Sequence, residues 1–378
     1  MRVITRQFTK EILVSTLFVL TALVAIFAFF ELIGQLDDVS KDYPMSFALL
    51  MTVLVLPDRI YEVMPLAVLL AAVYTMSRWS ASSEYTVLRV AGMSPARMAL
   101  SLLLPGLLLV AATYGVGEFL SPWSERYAQE QQTLQRNATL RARGYASGVW
   151  VRDVTTNVRG EEVDRYINVS NLIAGESNAT GAWRLFEFSP EGKLMRMIRA
   201  DSAHFEEGKG WWLHDAVAVT YPDVDPRSTE PTDARIVTEP AEDFFLKSSL
   251  GPEILGVMTT KPADMSMRDL DRYLKHLERT NQQKEQYEIA FWSKVFYPLA
   301  ILVMLALSMP FAYMNARAGG VAIKIFGGVM IGIVFYAMNN LFAYLGVLNT
   351  WSPLAASLAP TVVMLVAAAC ALYWVEKR

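Results

Sequence analysis

Six apolar runs, at residues 11–36, 48–77, 98–120, 291–314, 321–345 and 353–374, constrain this chain more than any other feature. A helix needs about 20 apolar residues to cross a hydrocarbon core, and each run is long enough. Inside lipid the backbone must satisfy its own hydrogen bonds, so the runs are predicted to be transmembrane helices. Composition agrees, with 53% of the 378 residues hydrophobic and 19% charged. The first run follows Arg2, Arg6 and Lys10, exceeds a signal-peptide core and lacks a small-residue cleavage site after it, so it is read as retained. The second is interrupted by Pro57, Asp58, Arg59, Glu62 and Pro65, which predicts a short interfacial helix, a kink and then a crossing.

Orientation follows from the short connections. Arg2, Arg6 and Lys10, then Arg78, Arg89 and Arg97, then Arg317 and Lys324, then Lys377 and Arg378 mark alternate ends of the spans. Cytosolic loops carry such an excess of Lys and Arg, so both termini and the 78–97 stretch are expected in the cytosol. The block 121–290 then falls on the other side. Its period changes from helix to strand in "GVWVRD" (148–153), "DRYINVSNLIAG" (164–175), "WRLFEF" (183–188), "KLMRMIRADSAHFEE" (193–207), "GWWLHDAVAVTYPD" (210–223) and "ARIVTE" (234–239), with turn signals such as "SPEG" and "EGKG" between. The expected fold is an α-helical membrane protein with six transmembrane helices and an inserted all-β, jelly-roll-like domain. The expected division is 1–120 (spans one to three), 121–290 (β domain with flanking helices) and 291–378 (spans four to six).

Nothing in the chain resembles an engine. It has no GxxxxGK[ST] phosphate loop, no GxSxG and no metal-ligand spacing among His204, His214 and His276. Cys370 is the single cysteine and the net charge is −3, so neither a disulfide frame nor a nucleic-acid partner is expected. No catalytic, cofactor or metal residue is assigned. An intramembrane enzyme is disfavoured for want of an ionisable constellation at mid-membrane depth. A membrane-anchored scaffold or sensor stays open as an alternative to a transporter whose energy comes from a partner. The stretch "ASSEYTVLRVAGMSPARM" (81–98) is where a cytosolic partner would dock. Glu84 there reads either as a helix-start carboxylate favoured by the dipole or as a docking charge.

The stretches "MPLAVLLAAVYTMSRWSASSEYTVLRVAGMSP" (64–95), "GEFLSPWSERYA" (117–128), "GVWVRD" (148–153), "YLKHLERTNQQKEQYEIAFWSKVFYPLAILVMLALSMPF" (273–311) and "GVMIGIVFYAMNNLF" (328–342) are familiar in kind and order. They resemble the YjgP/YjgQ family of lipopolysaccharide export permeases over nearly the whole chain. The resemblance implies an ABC-transporter permease subunit of the bacterial inner membrane, with its β domain in the periplasm. It would extract lipopolysaccharide and pass it to a periplasmic bridge. The implied partners are a homologous, LptF-like permease subunit, an LptB-like cytosolic ATPase dimer, an LptC-like single-span periplasmic protein, lipopolysaccharide and membrane lipid. The family's coupling glutamate falls on Glu84, with Ser83 and Arg89 beside it.

The family places a lateral gate at spans one and five, where Phe27, Phe30, Phe326, Phe335 and Phe342 are candidates for the acyl-chain wall. Packing and lipid contact are the ordinary fate of such aromatics. Members of the family commonly carry lysines at the outer end of span one. Here that zone reads "ELIGQLDDVSK", with Glu31, Asp37 and Asp38. These carboxylates either face water, pair with Lys41 or bridge a lipid phosphate through a divalent cation. Lys41, Arg59 and Arg136 are the headgroup candidates.

Overall fold

The computed structural model describes residues 2–37, 39, 43–82, 84–92, 94–135, 148–156, 162–170, 179–207, 209–222, 235–248, 250–257, 260–313, 321–348 and 351–377. Lys41, Ser83 and Arg136 therefore lie outside the described residues. The helices are α1 (Arg2–Leu36), α2 (Met45–Ala81), α3 (Glu84–Val90), α4 (Pro95–Gly115), α5 (Ser121–Gln135), α6 (Pro252–Val257), α7 (Met267–Arg279), α8 (Glu285–Phe296), α9 (Ala300–Ser308), α10 (Pro310–Tyr313), α11 (Val321–Leu348) and α12 (Pro353–Glu376). A π-helical turn, Val116–Leu120, joins α4 to α5. The chain divides into a helical unit (Met1–Ala128, Pro262–Leu270, Glu285–Arg378) and a sheet unit (Gln129–Lys261, Asp271–Lys284).

In the helical unit, among the described residues, five helical stretches are long and apolar enough to cross a membrane: Thr5–Leu36, Met45–Ala81, Ala96–Gln129, Ala322–Leu348 and Pro353–Val375. The run expected at 291–314 is a broken pair instead, Glu285–Phe296 and Ala300–Tyr313, bent by 48°. Pro298 supplies the cause, since it has no N–H to continue the ladder. Tight i to i+3 bonds fill the break, including Leu299 N–H to Phe296 O at 3.0 Å and Ile301 N–H to Pro298 O at 3.2 Å.

The second span differs from expectation in the opposite way. Among the described residues no separate interfacial helix precedes it; α2 runs unbroken for 37 residues through Pro57 and Pro65. Packing explains this. Met64, Val68, Ala72 and Met76 recur every four residues and meet Phe8 and Ile12 of α1, Met98 and Leu102 of α4, and Ile301 and Leu305 of α9. Leu69 and Val73, on another face, meet Met304 of α9, Phe335 of α11 and Met364 of α12. A helix enclosed on both faces is held around its prolines by its neighbours.

The sheet unit holds β1 (Val149–Thr156), β2 (Glu162–Val169), β3 (Ala179–Thr180), β4 (Trp183–Phe188), β5 (Leu194–Ala200), β6 (Ser202–Glu206), β7 (Gly210–Thr220) and β8 (Val237–Leu246). All pairings are antiparallel, in the order β1-β2-β4-β5-β7-β6-β3, with β8 also on β7. β6 pairs with the first half of β7 and β5 with the second. Asp215 lies at that change of neighbour with φ at 52°, an excursion that bends the strand. The curled interior is filled by Trp183, Leu185, Ile198, Trp211, Leu213 and Leu246, all under 2% exposed. The rings of Trp183 and Trp211 are 4.8 Å apart, and Trp211 Nε1 donates to Leu250 O at 2.6 Å.

The expected run 193–207 thus splits into β5 and β6, and the last expected strand begins at Val237 and extends to Leu246. Pro240 is tolerated inside β8 because, among the described residues, that strand pairs only with β7.

Candidate functional site

In the helical unit a cavity of about 500 Å³ opens between α1, α2 and α11. α1 contributes Phe27, Phe30, Glu31 and Gly34. α2 contributes Arg59, Glu62, Val63, Pro65 and Leu66. Tyr297, from the break between α8 and α9, and Gly332, Ile333, Phe335 and Tyr336 of α11 complete the wall. Spacing explains the selection: Phe27, Phe30, Glu31 and Gly34 share one face of α1 at i+3 and i+4, as do Arg59, Glu62, Val63 and Leu66 on α2. Glycines let α11 come close to α2. A Cβ at Gly332 would run into the Leu66 side chain, and one at Gly328 would meet Leu70 and Val73 at 3.4 Å.

Most of the lining is apolar or aromatic, and its polar groups form one connected set. Arg59 Nη1 is 2.8 Å from Glu62 Oε2, and Arg59 Nη2 is 3.8 Å from Glu31 Oε2. Tyr336 donates its hydroxyl to Glu62 Oε1 at 2.6 Å, and Tyr297 donates to the Glu62 carbonyl oxygen at 2.5 Å. Charged groups in a span are expensive unless paired, and here each charge has a partner. Outside the lining, Lys294 of α8 is buried with its ammonium 5.4 Å from the centre of the Tyr61 ring, among the charges of Asp58, Glu118, Asp264 and Asp269. Glu118, in the π turn, accepts the backbone N–H groups of Met267 (2.8 Å) and Arg268 (3.4 Å) at the start of α7.

The structure brings Phe27, Phe30, Phe335 and Arg59 to this one cavity. It does not bring Phe326 or Phe342 there. Phe326 is 65% exposed on α11, and Phe342 packs against Trp351 with ring centres 6.1 Å apart. In the sequence Glu62 reads only as an interruption of the second run, and Tyr297 carries no signal of a role. The available signal was an Arg and a Glu three residues apart within an apolar run.

At the 81–98 stretch, α3 is seven residues long and exposes Val87 and Val90. Glu84, also exposed, accepts the Ser82 hydroxyl at 3.0 Å through Oε1. The Arg89 guanidinium lies 5.6 Å from the centre of the Tyr313 ring. Ser94 caps α4 by accepting the Arg97 N–H at 3.3 Å, and Arg97 Nη1 donates to Gly92 O at 3.2 Å. Just before this stretch, Arg78 Nη2 is 2.6 Å from Glu11 Oε2 of α1, which also accepts Trp79 Nε1–H, while Trp79 stacks on Phe8 at 4.2 Å.

A model of the family described as lipopolysaccharide export system permease LptF/LptG matches residues 6–374. The lipopolysaccharide export system permease protein LptG of Haemophilus influenzae is 24% identical over 376 residues, covering 99% of this chain and 98% of that one. Its namesake from Escherichia coli K12 is 25% identical over 365 residues, covering 95% and 94%. With a match over residues 6–374, and with apolar spans before and after an inserted curled sheet in chain order, the chain belongs to the lipopolysaccharide export system permease LptF/LptG family.

Proposed function

We propose that this chain is an LptG-like permease subunit of an ABC transporter that lifts lipopolysaccharide out of the inner membrane. The observation that carries this reading is the cavity: an aromatic wall from α1 and α11 for acyl chains, with a guanidinium among its polar groups for phosphate. Phe27, Phe30 and Phe335 are the acyl contacts and Arg59 the headgroup contact. Phosphate suits Arg59 because a guanidinium can hold two of its oxygens at once. Lys41 and Arg136 stay as further headgroup candidates from the sequence. The partners are an LptF-like second permease, an LptB-like ATPase dimer on the cytosolic face and an LptC-like protein in the periplasm. Residues 1–120 and 291–378 form the membrane part, with 121–290 in the periplasm leading to the bridge.

The exposed α3 is the contact for the ATPase, with Glu84 as the pairing charge and Ser83 and Arg89 beside it. If Glu84 pairs with a cation on the ATPase, Glu84→Ala leaves that cation unpaired, a loss of about 2–5 kcal/mol. A loss of about 3 kcal/mol weakens association roughly a hundredfold. The expected outcome is that Glu84→Ala and Glu84→Gln both lose the co-purifying ATPase and the lipopolysaccharide-stimulated ATP turnover in liposomes. If Glu84 only starts α3, the cost is about 1 kcal/mol of local stability and both assays match wild type. Failure of the wild-type chain to co-purify with any ATPase would favour a scaffold without transport activity.

A further inference from the structure

Among the described residues Arg59 is the one cation in the cavity lining, and carboxylates already surround it. Glu62 approaches to 2.8 Å, Glu31 to 3.8 Å, and Asp58 adds a third negative charge nearby. The first two arms differ in kind. Glu62 sits one turn along the same helix and is fixed by the Tyr336 hydroxyl at 2.6 Å, which ties α2 to α11. Glu31 reaches in from α1, is steadied by Gln35 Nε2 at 3.3 Å, and stands beyond hydrogen-bond distance of the guanidinium. Beside it, Gly34 has nothing within 4 Å of where a Cβ would be, so there is open room next to the looser arm.

We propose that Glu31 is an internal competitor for the seat of the substrate's anionic group, and that displacing it unlatches α1. This rests on reading the cavity as the lipid site. Without lipid, the Glu31 carboxylate faces Arg59 and joins α1 to α2 at the cavity. An incoming phosphate carries more charge and more acceptor oxygens than a carboxylate and makes the stronger pair with a guanidinium. It takes the Glu31 side, because Glu62 is bonded on both of its oxygens. Arg59 then stays with α2 and α11 while α1 loses this ion pair. Coupling of this kind is reciprocal: the extent to which Glu31 weakens lipid binding is the extent to which lipid loosens α1. Glu31 is thus a positioning residue, setting affinity and the freedom of α1 through Arg59.

The test uses the full chain, purified with the subunits that accompany it, in phosphatidylcholine nanodiscs. Binding is measured for bis-phosphorylated lipid A and for the same lipid A with its phosphates removed. Wild type is expected to prefer the phosphorylated form. Glu31→Gln keeps the size of the side chain and should bind that form roughly tenfold tighter, equivalent to about 1.4 kcal/mol, with the dephosphorylated form unchanged. Glu31→Ala should do the same, and Arg59→Gln should abolish both the preference and the effect of Glu31→Gln, as a double-mutant cycle requires. If Glu31 were only structural, its variants would lower the thermal midpoint and weaken both lipids alike, which overturns the competitor role. A wild type that prefers phosphate, with Glu31 variants no tighter than it, overturns the competitor role alone. A wild type without preference overturns the reading of the cavity and the competitor role together.

Discussion

At Gly117 the π turn of the third span meets the ring of Tyr61, and an added Cβ would overlap that ring. Tyr61 is held in turn between the Tyr297 ring, 5.3 Å away, and Lys294. A ring fixed on two sides cannot step aside, so Gly117→Ala should destabilise the protein by about 1–3 kcal/mol, as overpacking does. Gly34→Ala, at a site with open space, should leave the thermal midpoint in detergent within a degree or so of wild type. Equal midpoints for the two variants would contradict this packing. Single residues were unevenly legible in the sequence. Phe27, Phe30 and Phe335 stand out through the family resemblance, which puts a lateral gate at spans one and five, where the sequence shows aromatics. Glu62 and Tyr297 do not stand out, since their roles depend on which helices lie beside them, and helical periodicity carries no neighbour.

Among elements, α7 has a consequence for pH. His276 lies on it, buried, and among the described residues its Nε2 has no hydrogen-bond partner. Burial, assisted by the Arg279 charge and opposed by Asp153, holds the imidazole below its ordinary range. The unfolded chain takes up that proton near pH 6.5 and the folded chain only lower. Stability of the sheet unit should therefore fall as pH drops below about 6.5. His276→Gln should flatten that fall, read from denaturation midpoints at pH 7.5 and 5.5; an equal loss in the variant would remove His276 as the cause. Elements were mostly legible beforehand. Five apolar runs became helices and the strand-like runs became strands, because both signals are local. The break at Pro298 and the unbroken course of α2 through two prolines were not, because the same residue type interrupts one helix and is absorbed by the packing of another.

For the whole molecule, the sequence carried the order of spans, sheet and spans, and charge asymmetry supplied an orientation. That orientation predicts that a cysteine at Ser189, with Cys370→Ala removing the native thiol, reacts with an impermeant reagent on intact spheroplasts. Labelling only after lysis would reverse the topology. What the sequence withheld is how the sheet closes. Arg152 holds Asp164 with both carboxylate oxygens, at 2.9 and 3.0 Å, and its Nη1 reaches the carbonyl of Thr280 at 3.1 Å. Arg165 joins Glu187 at 2.8 Å to the Lys247 carbonyl at 3.3 Å. These are contacts across up to 128 residues of sequence, beyond any local pattern.

That closure sets a schedule for biosynthesis. The sheet unit begins at Gln129 and ends with Lys284, so its strands are made after the third span and its final piece just before the fourth. At about 5–20 residues per second, the ribosome takes roughly 8–30 s to make this stretch. Through most of that interval Arg152 has Asp164 but no Thr280 to reach, and the seat of Tyr273 and Leu277, both buried in the finished protein, stands empty. A nascent chain stalled before Asp271 would present that unfilled seat to whatever chaperone attends it, and release of the next few dozen residues would both fill it and deliver the following span.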